Sequence, residues 1–422
     1  MDILFLTQVL PYPLVGGAKI RAYYVLRYLA RRHRVTLVSF VRPDDRPEDV
    51  AHLRTFCAAV HTVPLRRSRW KDGQALLEGL ATGRPAVIAR DRVVAFSGLL
   101  RWLVGQKHFH AIHADQTAMA QYALMARDWI AARDEGTRPQ TVLDQHNALF
   151  LVVRRQAAYE GNLPRRLLWH WEARQLARYE GKLCRHFDHI LTVTEADKAA
   201  LLSLLTPAEA AARHANFTVL PICVDPAAQP LLPRHDQTPQ IMHLGTMFWP
   251  PNVEGVLWFT REIMPLIVAQ VPDARFIIAG KNPPPNIHDL SAPGSPHSDY
   301  VRVTGFVSNP TGLLAQSRVF VVPLRAGGGM RVKILDAWQW GLPVVSTTLG
   351  AEGIEARPGE NILLADDPAT FAAAVVRVLR DPHLARRLRE NGRSWVERHY
   401  DWRAVYPRLA AIYPETDGAP AV

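Results

Sequence analysis

The sequence predicts an α/β protein of two doubly wound parallel-sheet domains facing each other across a cleft. Three observations predict it. The 422 residues are too many for one compact core. Short apolar runs alternate with helix-period stretches in two successive series, the pattern of parallel sheets covered by helices on both faces. Between the series, Cys223 to Pro239 carries Pro226, Pro230, Pro233 and Pro239 among few apolar residues, which is a linker composition. Domains are therefore expected at residues 1–222 and 240–398, with a 223–239 linker. A helical segment at 399–422 is expected to pack back on the first domain.

The first series opens with strand Ile3-Leu4-Phe5-Leu6, a loop holding Gly16 and Gly17, and a helix over about Lys19 to Arg32. Ile20, Tyr24 and Tyr28 recur at i, i+4 in that helix beside Val25 and Leu29, forming one apolar stripe, while Arg21, Arg27 and Arg31 fall on other faces. Strands follow at Val35 to Val38, Ala111-Ile112, Thr141 to Leu143, His186 to Val193 and Thr218 to Pro221. The second series restarts at Gln240 to Gly245. A helix over about Asn252 to Ala269 comes next, then strand Phe276 to Gly280, and a strand and turn at Val301 to Val307. Ligands in such sheets sit beyond the strand C-termini, so the Gly16-Gly17 loop and a second glycine loop at Gly327 are expected to face the cleft.

That second loop is the most informative stretch. Val319 to Val322 is a continuous apolar run, as in a strand buried on both faces. Gly327-Gly328-Gly329 keeps no side chain between backbone and ligand. A helix opens near Arg331 and ends at Gly341, with Pro343 just beyond, and Val344 begins the next strand. Glycine amides, a helix N-terminus and the cations Arg331 and Lys333 thus converge, and such a point favours anionic groups. Asp336 shares a helix face with Lys333. A cation for phosphate beside a carboxylate for hydroxyls suits a nucleotide-sugar.

Composition narrows the classes. Hydrophobic residues at 48% and charged residues at 21% fit a folded protein. No uncharged apolar run reaches the roughly 18 residues of a membrane span, and the N-terminus reads as a first strand rather than a signal peptide. Cys57, Cys184 and Cys223 are scattered without metal-type spacing. A cytoplasmic protein without a bound metal or cofactor follows. The net charge of +11 concerns partners. No nucleic-acid-binding motif accompanies it, so nucleic acid is excluded in favour of a phosphorylated substrate and an anionic membrane surface. Arg165-Arg166-Leu167-Leu168-Trp169-His170-Trp171 has the composition of a membrane-surface contact, placing the protein peripherally on an inner membrane face. The alternative is that Leu167, Leu168 and Trp171 pack inward while the arginines face water. No dinucleotide fingerprint and no phosphate loop ending in Gly-Lys-Ser/Thr occurs.

The segment from Pro323 through Gly327 to Gly329, Leu335-Asp336-Ala337 and Gly341-Leu342-Pro343-Val344-Val345 resembles the donor-binding region of the large retaining glycosyltransferase family numbered four, which has the GT-B architecture. The resemblance extends over nearly the whole chain. It includes Asp144-Gln145-His146-Asn147, Val193-Thr194-Glu195, and Leu220 to Asp225 at the domain junction. It implies metal-independent transfer, with retention, of a hexosyl group from a nucleoside-diphosphate sugar to a sugar or lipid-linked hydroxyl acceptor, in envelope or exported polysaccharide synthesis. The absence of an aspartate-any-aspartate signature agrees with metal independence. By resemblance His146 orients a sugar hydroxyl, Lys333 and Arg331 hold the diphosphate, and Asp336 holds the ribose. Gly16, Gly17, Gly245, Thr246, Gly305, Phe306, Val307, Gly327, Gly328, Gly329 and Glu352 complete the donor site. Asp115 and Glu195 read instead as helix starts.

The sequence departs from the family at two places. Gly328 stands where a first glutamate is usual, and Met247 to Asn252 replaces a cation-bearing stretch after Gly245. Phosphate neutralisation then rests on Arg331 and Lys333. Two other readings of the chain are a nucleotide-sugar epimerase of the same architecture and a non-catalytic basic scaffold subunit.

Overall fold

Each half of the chain is built on one all-parallel sheet. In the computed structural model, which describes residues 1–133, 138–233 and 239–415, the first sheet contains β1 (Asp2–Thr7), β2 (Arg34–Val41), β3 (Ala59–Pro64), β4 (Ala111–Asp115), β5 (Gln140–Gln145), β6 (His189–Thr192) and β7 (Phe217–Val219). Their order is β3-β2-β1-β4-β5-β6-β7. Ile3 sits in register with Val35 on one side and Ala111 on the other. The second sheet contains β8 (Gln240–Leu244), β9 (Arg275–Ala279), β10 (Val301–Gly305), β11 (Ser317–Val322), β12 (Val344–Ser346) and β13 (Leu363–Leu364), ordered β10-β9-β8-β11-β12-β13. In both sheets the chain reverses its direction of travel beside the first strand, at β1/β4 and at β8/β11. Side chains beyond the strand C-termini there converge on a crevice.

The contacts divide the chain into Met1–Cys223 with the chain from Val405 onward, and Val224–Ala404. Residues 234–238 of the expected linker and 416–422 of the expected C-terminal segment lie outside the described residues. The proline-rich stretch before them is tied to the second unit, where Arg393 donates to the carbonyls of Pro226 and Gln229 at 2.8 Å each. Tyr413 is buried in the first unit, its hydroxyl 2.8 Å from His113 Nδ1.

Burial explains the sequence pattern. Ile3, Leu4, Phe5 and Leu6 of β1 and Val319, Val321 and Val322 of β11 are wholly enclosed, so these strands carry unbroken apolar runs. The Gly17–Ala30 helix buries Tyr24, Val25, Tyr28 and Leu29 as its periodicity requires. Arg21 departs from the expectation that it falls on a face other than the apolar stripe: it is fully buried, four residues before Val25 and seven before Tyr28 on one helix face. Its guanidinium lies 2.7 Å from Asp144 and also donates to the Leu220 carbonyl. The strand expected from His186 begins only at His189, since His186 ends a helix that starts at Leu163. The helix expected over 252–269 is interrupted. Pro250–Trp258 passes through a π turn at Phe259–Ile263 into Met264–Val268, because Pro265 has no N–H to continue the ladder. Leu167 and Leu168 are exposed and Trp171 is half-buried, so the leucines do not pack inward.

Candidate functional site

In the second unit the strand-end loops are drawn together by glycines. Gly245 N donates to Ala279 O at 3.1 Å and Gly280 N to Gly305 O at 2.9 Å. A Cβ on Gly280 would run into the Gly245 carbonyl oxygen. Gly280→Ala is therefore expected to displace the Gly245 turn and to destabilise the unit by about 1–3 kcal/mol. Urea unfolding alongside nucleotide titration checks both effects; an unchanged midpoint would refute the packing argument. Gly305 takes φ +68, and Phe306 projects its ring into solvent just beyond it with Val307 half-buried behind.

The glycine loop after β11 meets this region. Lys333, in the first turn of the Val332–Gln339 helix, lies 2.9 Å from Asn252 Oδ1 and 3.4 Å from His243 Nε2. A Cβ on Gly245 would sit 2.8 Å from Lys333 Nζ, so only glycine leaves that ammonium its place. Asn252 Nδ2 donates to Thr246 O at 2.8 Å, which fixes the amide and turns its oxygen toward the lysine. His243 Nδ1 lies 2.9 Å from the Val321 carbonyl. A carbonyl only accepts, so Nδ1 carries the hydrogen and Nε2 presents a lone pair to Lys333. Burial, then the charge of Lys333, holds His243 well below the usual histidine range, and it stays neutral.

Charges in this cluster are poised near neutrality. Burial, then the neighbouring Arg331 cation, brings Lys333 down to about 7 despite Asp336. Burial pushes Asp336 up to about 7, against the pull of the Gln339 amide that donates to it at 3.1 Å and of Lys333. Arg331 is buried and donates to the Gly328 carbonyl at 2.5 Å, so it braces the glycine loop from beneath. Gly327 adopts φ +109 and Gly329 φ +84, conformations that side chains disfavour. Gly353, at φ +79, packs so that a Cβ would lie 2.9 Å from Met330 Cα, which seats the Glu352 turn against the same loop. Asn252 and His243 were not among the residues expected here. Asn252 ends the Met247 to Asn252 stretch that replaces a cation-bearing one, which hinted at it, whereas a histidine inside a strand gave no signal.

A second cluster lies in the first unit at the ends of β4 and β5. His146 Nε2 is 2.8 Å from Asp115 Oδ1. Asp115 is thus a partner for histidine rather than the helix cap expected. Because that carboxylate accepts, Nε2 carries a hydrogen and Nδ1 is the free ring atom of the neutral form. His146, Asn147, Gln8, Gln116 and Thr117 line a cavity of about 190 Å³. Glu195 starts a helix as expected, which Thr194 caps by accepting from Asp197 N at 3.0 Å. Gly16, at φ +88, precedes the Gly17–Ala30 helix, and neither glycine bears a side chain that would obstruct a ligand there.

Among the described residues, His113, Asp115 and Asp144 have ligating atoms within 4.8 Å of one another. One atom of each is engaged, His113 Nδ1 by Tyr413, Asp115 Oδ1 by His146 and Asp144 Oδ1 by Arg21, while His113 Nε2, Asp115 Oδ2 and Asp144 Oδ2 are buried without a hydrogen-bond partner. A buried guanidinium in contact with one of the three repels a cation, so this set does not fit a metal.

Comparisons with known proteins agree with the fold. Overall, the structure of Anabaena HepE in complex with UDP and glucose is similar at a TM-score of 0.65 and 14% identity, covering 99% of this chain and 100% of that one. Sucrose-phosphate synthase from Thermosynechococcus elongatus is similar at a TM-score of 0.66 and 17% identity, covering 98% of each. An uncharacterized 44.6 kDa protein in the cps region of Klebsiella pneumoniae is 25% identical over 174 residues, 40% of this chain. The match spans only 44% of that relative's length. Residues 238–381 match the family described as Glycosyl transferases group 1. The chain has the GT-B architecture, and residues 238–381 of its second unit are similar to the glycosyl transferases group 1 family.

Proposed function

We propose that the protein transfers a hexosyl group, with retention and without a metal, from a nucleoside-diphosphate sugar to a hydroxyl acceptor. The reading places this step in envelope or exported polysaccharide synthesis. The observation that carries it is Lys333, held by Asn252 and His243 against Gly245 beside the glycine loop, within the stretch similar to the group 1 family. HepE has been solved in complex with UDP and with UDP-glucose, which supports a nucleotide-sugar donor here.

Lys333 receives the diphosphate together with the backbone amides of the glycine loop. Arriving phosphate charge favours the ammonium, so binding draws a proton onto Lys333. The ammonium then stabilises the charge that grows on the diphosphate as the glycosidic bond breaks. Arg331 contributes by keeping the Gly328 loop in shape. Asp336 accepts from the ribose hydroxyls, and the Gly305-Phe306-Val307 turn borders the base. By resemblance the acceptor attacks from the face the leaving group departs, whose phosphate oxygen takes the hydroxyl proton.

His146, oriented by Asp115, is assigned to a sugar hydroxyl. Asp115→Asn is expected to lower kcat about tenfold or more, with nucleotide affinity unchanged. A fall in nucleotide affinity of the same size would instead give Asp115 a merely structural role.

Calorimetric titration with several nucleoside diphosphates, followed by turnover of the matching sugar nucleotide, tests the whole reading. Absence of binding to all of them would favour a scaffold. Solvent deuterium entering the sugar in heavy water, without any acceptor, would mark an epimerase.

A further inference from the structure

Two helices of the first unit leave apolar side chains in solvent next to a surface that carries cations. The Arg69–Thr82 helix exposes Trp70, Leu77 and Leu80, with Trp70 77% accessible. Positions 70, 77 and 80 lie on one helical face, opposite the buried Ala75. The Leu163–His186 helix exposes Leu163, Leu167 and Leu168 over its first turns, with Leu167 61% accessible. The helices meet where a Cβ on Gly79 would lie 3.3 Å from the Trp171 ring and one on Gly83 3.6 Å from Gln175. Leu80 adjoins Gly79, and Leu167 lies about one helical turn before Trp171. Trp70 and Leu77 lie on the helix side opposite Gly79 and point away from this junction, whereas Leu80 and Leu167 border it.

The charge distribution is one-sided. Over the 24 residues of the longer helix both acids, Glu172 and Glu180, are buried. Glu172 accepts from the Ala86 and Val87 amides, and Glu180 from those of Leu149 and Phe150. Arg165, Arg166, Arg174, Arg178 and Lys182 are all exposed. The helix thus spends its acids on capping interior backbone and shows the solvent only cations. Five exposed cations beside the solvated side chains of Leu80, Leu163, Leu167 and Leu168 complement a surface that is anionic outside and apolar just beneath.

We propose that this face docks the protein on an anionic lipid bilayer, with Leu80, Leu163, Leu167 and Leu168 entering the headgroup boundary and the arginines meeting lipid phosphates. The proposal concerns the first unit and stands apart from the donor reading, which rests on the second. No helix among the described residues is long and apolar enough to cross a membrane, so the attachment is superficial.

Co-sedimentation with phosphatidylcholine vesicles, with and without phosphatidylglycerol, tests it. Binding is expected only with phosphatidylglycerol and is expected to weaken at high salt. Arg165→Glu with Arg166→Glu should reduce partitioning more than about tenfold, given about fivefold per surface cation. Leu167→Ser with Leu168→Ser should reduce it about tenfold with charge unchanged. Circular dichroism and an unchanged urea midpoint establish that each variant is folded. No binding of the wild-type protein to phosphatidylglycerol vesicles at low salt overturns the proposal. So does undiminished binding by both folded variants, or binding to polyglutamate or single-stranded DNA resin but not to vesicles.

Discussion

Lys333→Met is expected to weaken nucleoside-diphosphate binding by about 10- to 150-fold, the loss of a charge-assisted contact worth about 1.5–3 kcal/mol. The pH dependence is the sharper test. In the free protein Lys333 is held down at about 7, and the bound diphosphate raises it. Binding therefore favours the protonated lysine. Affinity falls about tenfold per pH unit as pH rises above the free value, until the bound form also titrates. Asp336, pushed up to about 7, must be ionised to accept from ribose, so affinity also falls as pH drops below that value. Titrations across pH should give a maximum near neutrality, with proton uptake on its alkaline side. Lys333→Met should lose the alkaline arm and Asp336→Asn the acid arm. An alkaline arm of unchanged slope in Lys333→Met would remove Lys333 from the diphosphate.

Arg21→Met is expected to cost the first unit about 3–5 kcal/mol, because it strands the Asp144 carboxylate in a fully buried site. Burial alone would raise Asp144. The Arg21 guanidinium 2.7 Å away holds it well below the usual carboxylate range. With the folded value depressed, its contribution is fully present above the ordinary aspartate pKa of about 4 and is lost as pH falls through the lower folded value. Urea midpoints of Arg21→Met, Asp144→Asn and the double variant check this. The double variant should recover part of the single loss, since it leaves no uncompensated charge. Strictly additive losses would mean that the pair is not coupled.

These two predictions differ in how far the sequence leads to them. Lys333 and Asp336 were readable because they sit in one helix, where a fixed spacing sets their faces, just after a glycine run. Arg21 was misread for the same kind of reason. Helical periodicity puts it four residues before Val25 and seven before Tyr28, on the buried side of the helix. Yet a charged residue reads as lying off an apolar stripe, since its partner Asp144 is 123 residues away and nothing local announces the pair. Asp115 likewise read as a cap until β4 and β5 came side by side, with Asp115 in register with Asp144 and His146 just beyond. His243 gave no signal, because a neutral histidine in a buried strand looks like any core residue until a lysine from a distant helix faces it.

The strands show the same division. Continuous apolar runs such as Ile3 to Leu6 and Val319 to Val322 declare themselves, since a strand covered on both faces must be apolar throughout. Ala59–Pro64 escaped notice because it is a half-exposed edge strand in which only Val60 and Val63 are buried, so it shows neither a continuous apolar run nor a period of two. Leu363–Leu364 is too short to show any period. By itself the sequence determined the doubly wound class, the glycine loop and the cations in the first turn of its helix, because these depend on spacing along one segment. The tertiary structure alone decided that Asn252 and His243 hold Lys333, that Asp115 orients His146, and that Leu167 stands in solvent. Those outcomes depend on which strand ends and helix faces meet, and hence on contacts between segments that share no local pattern.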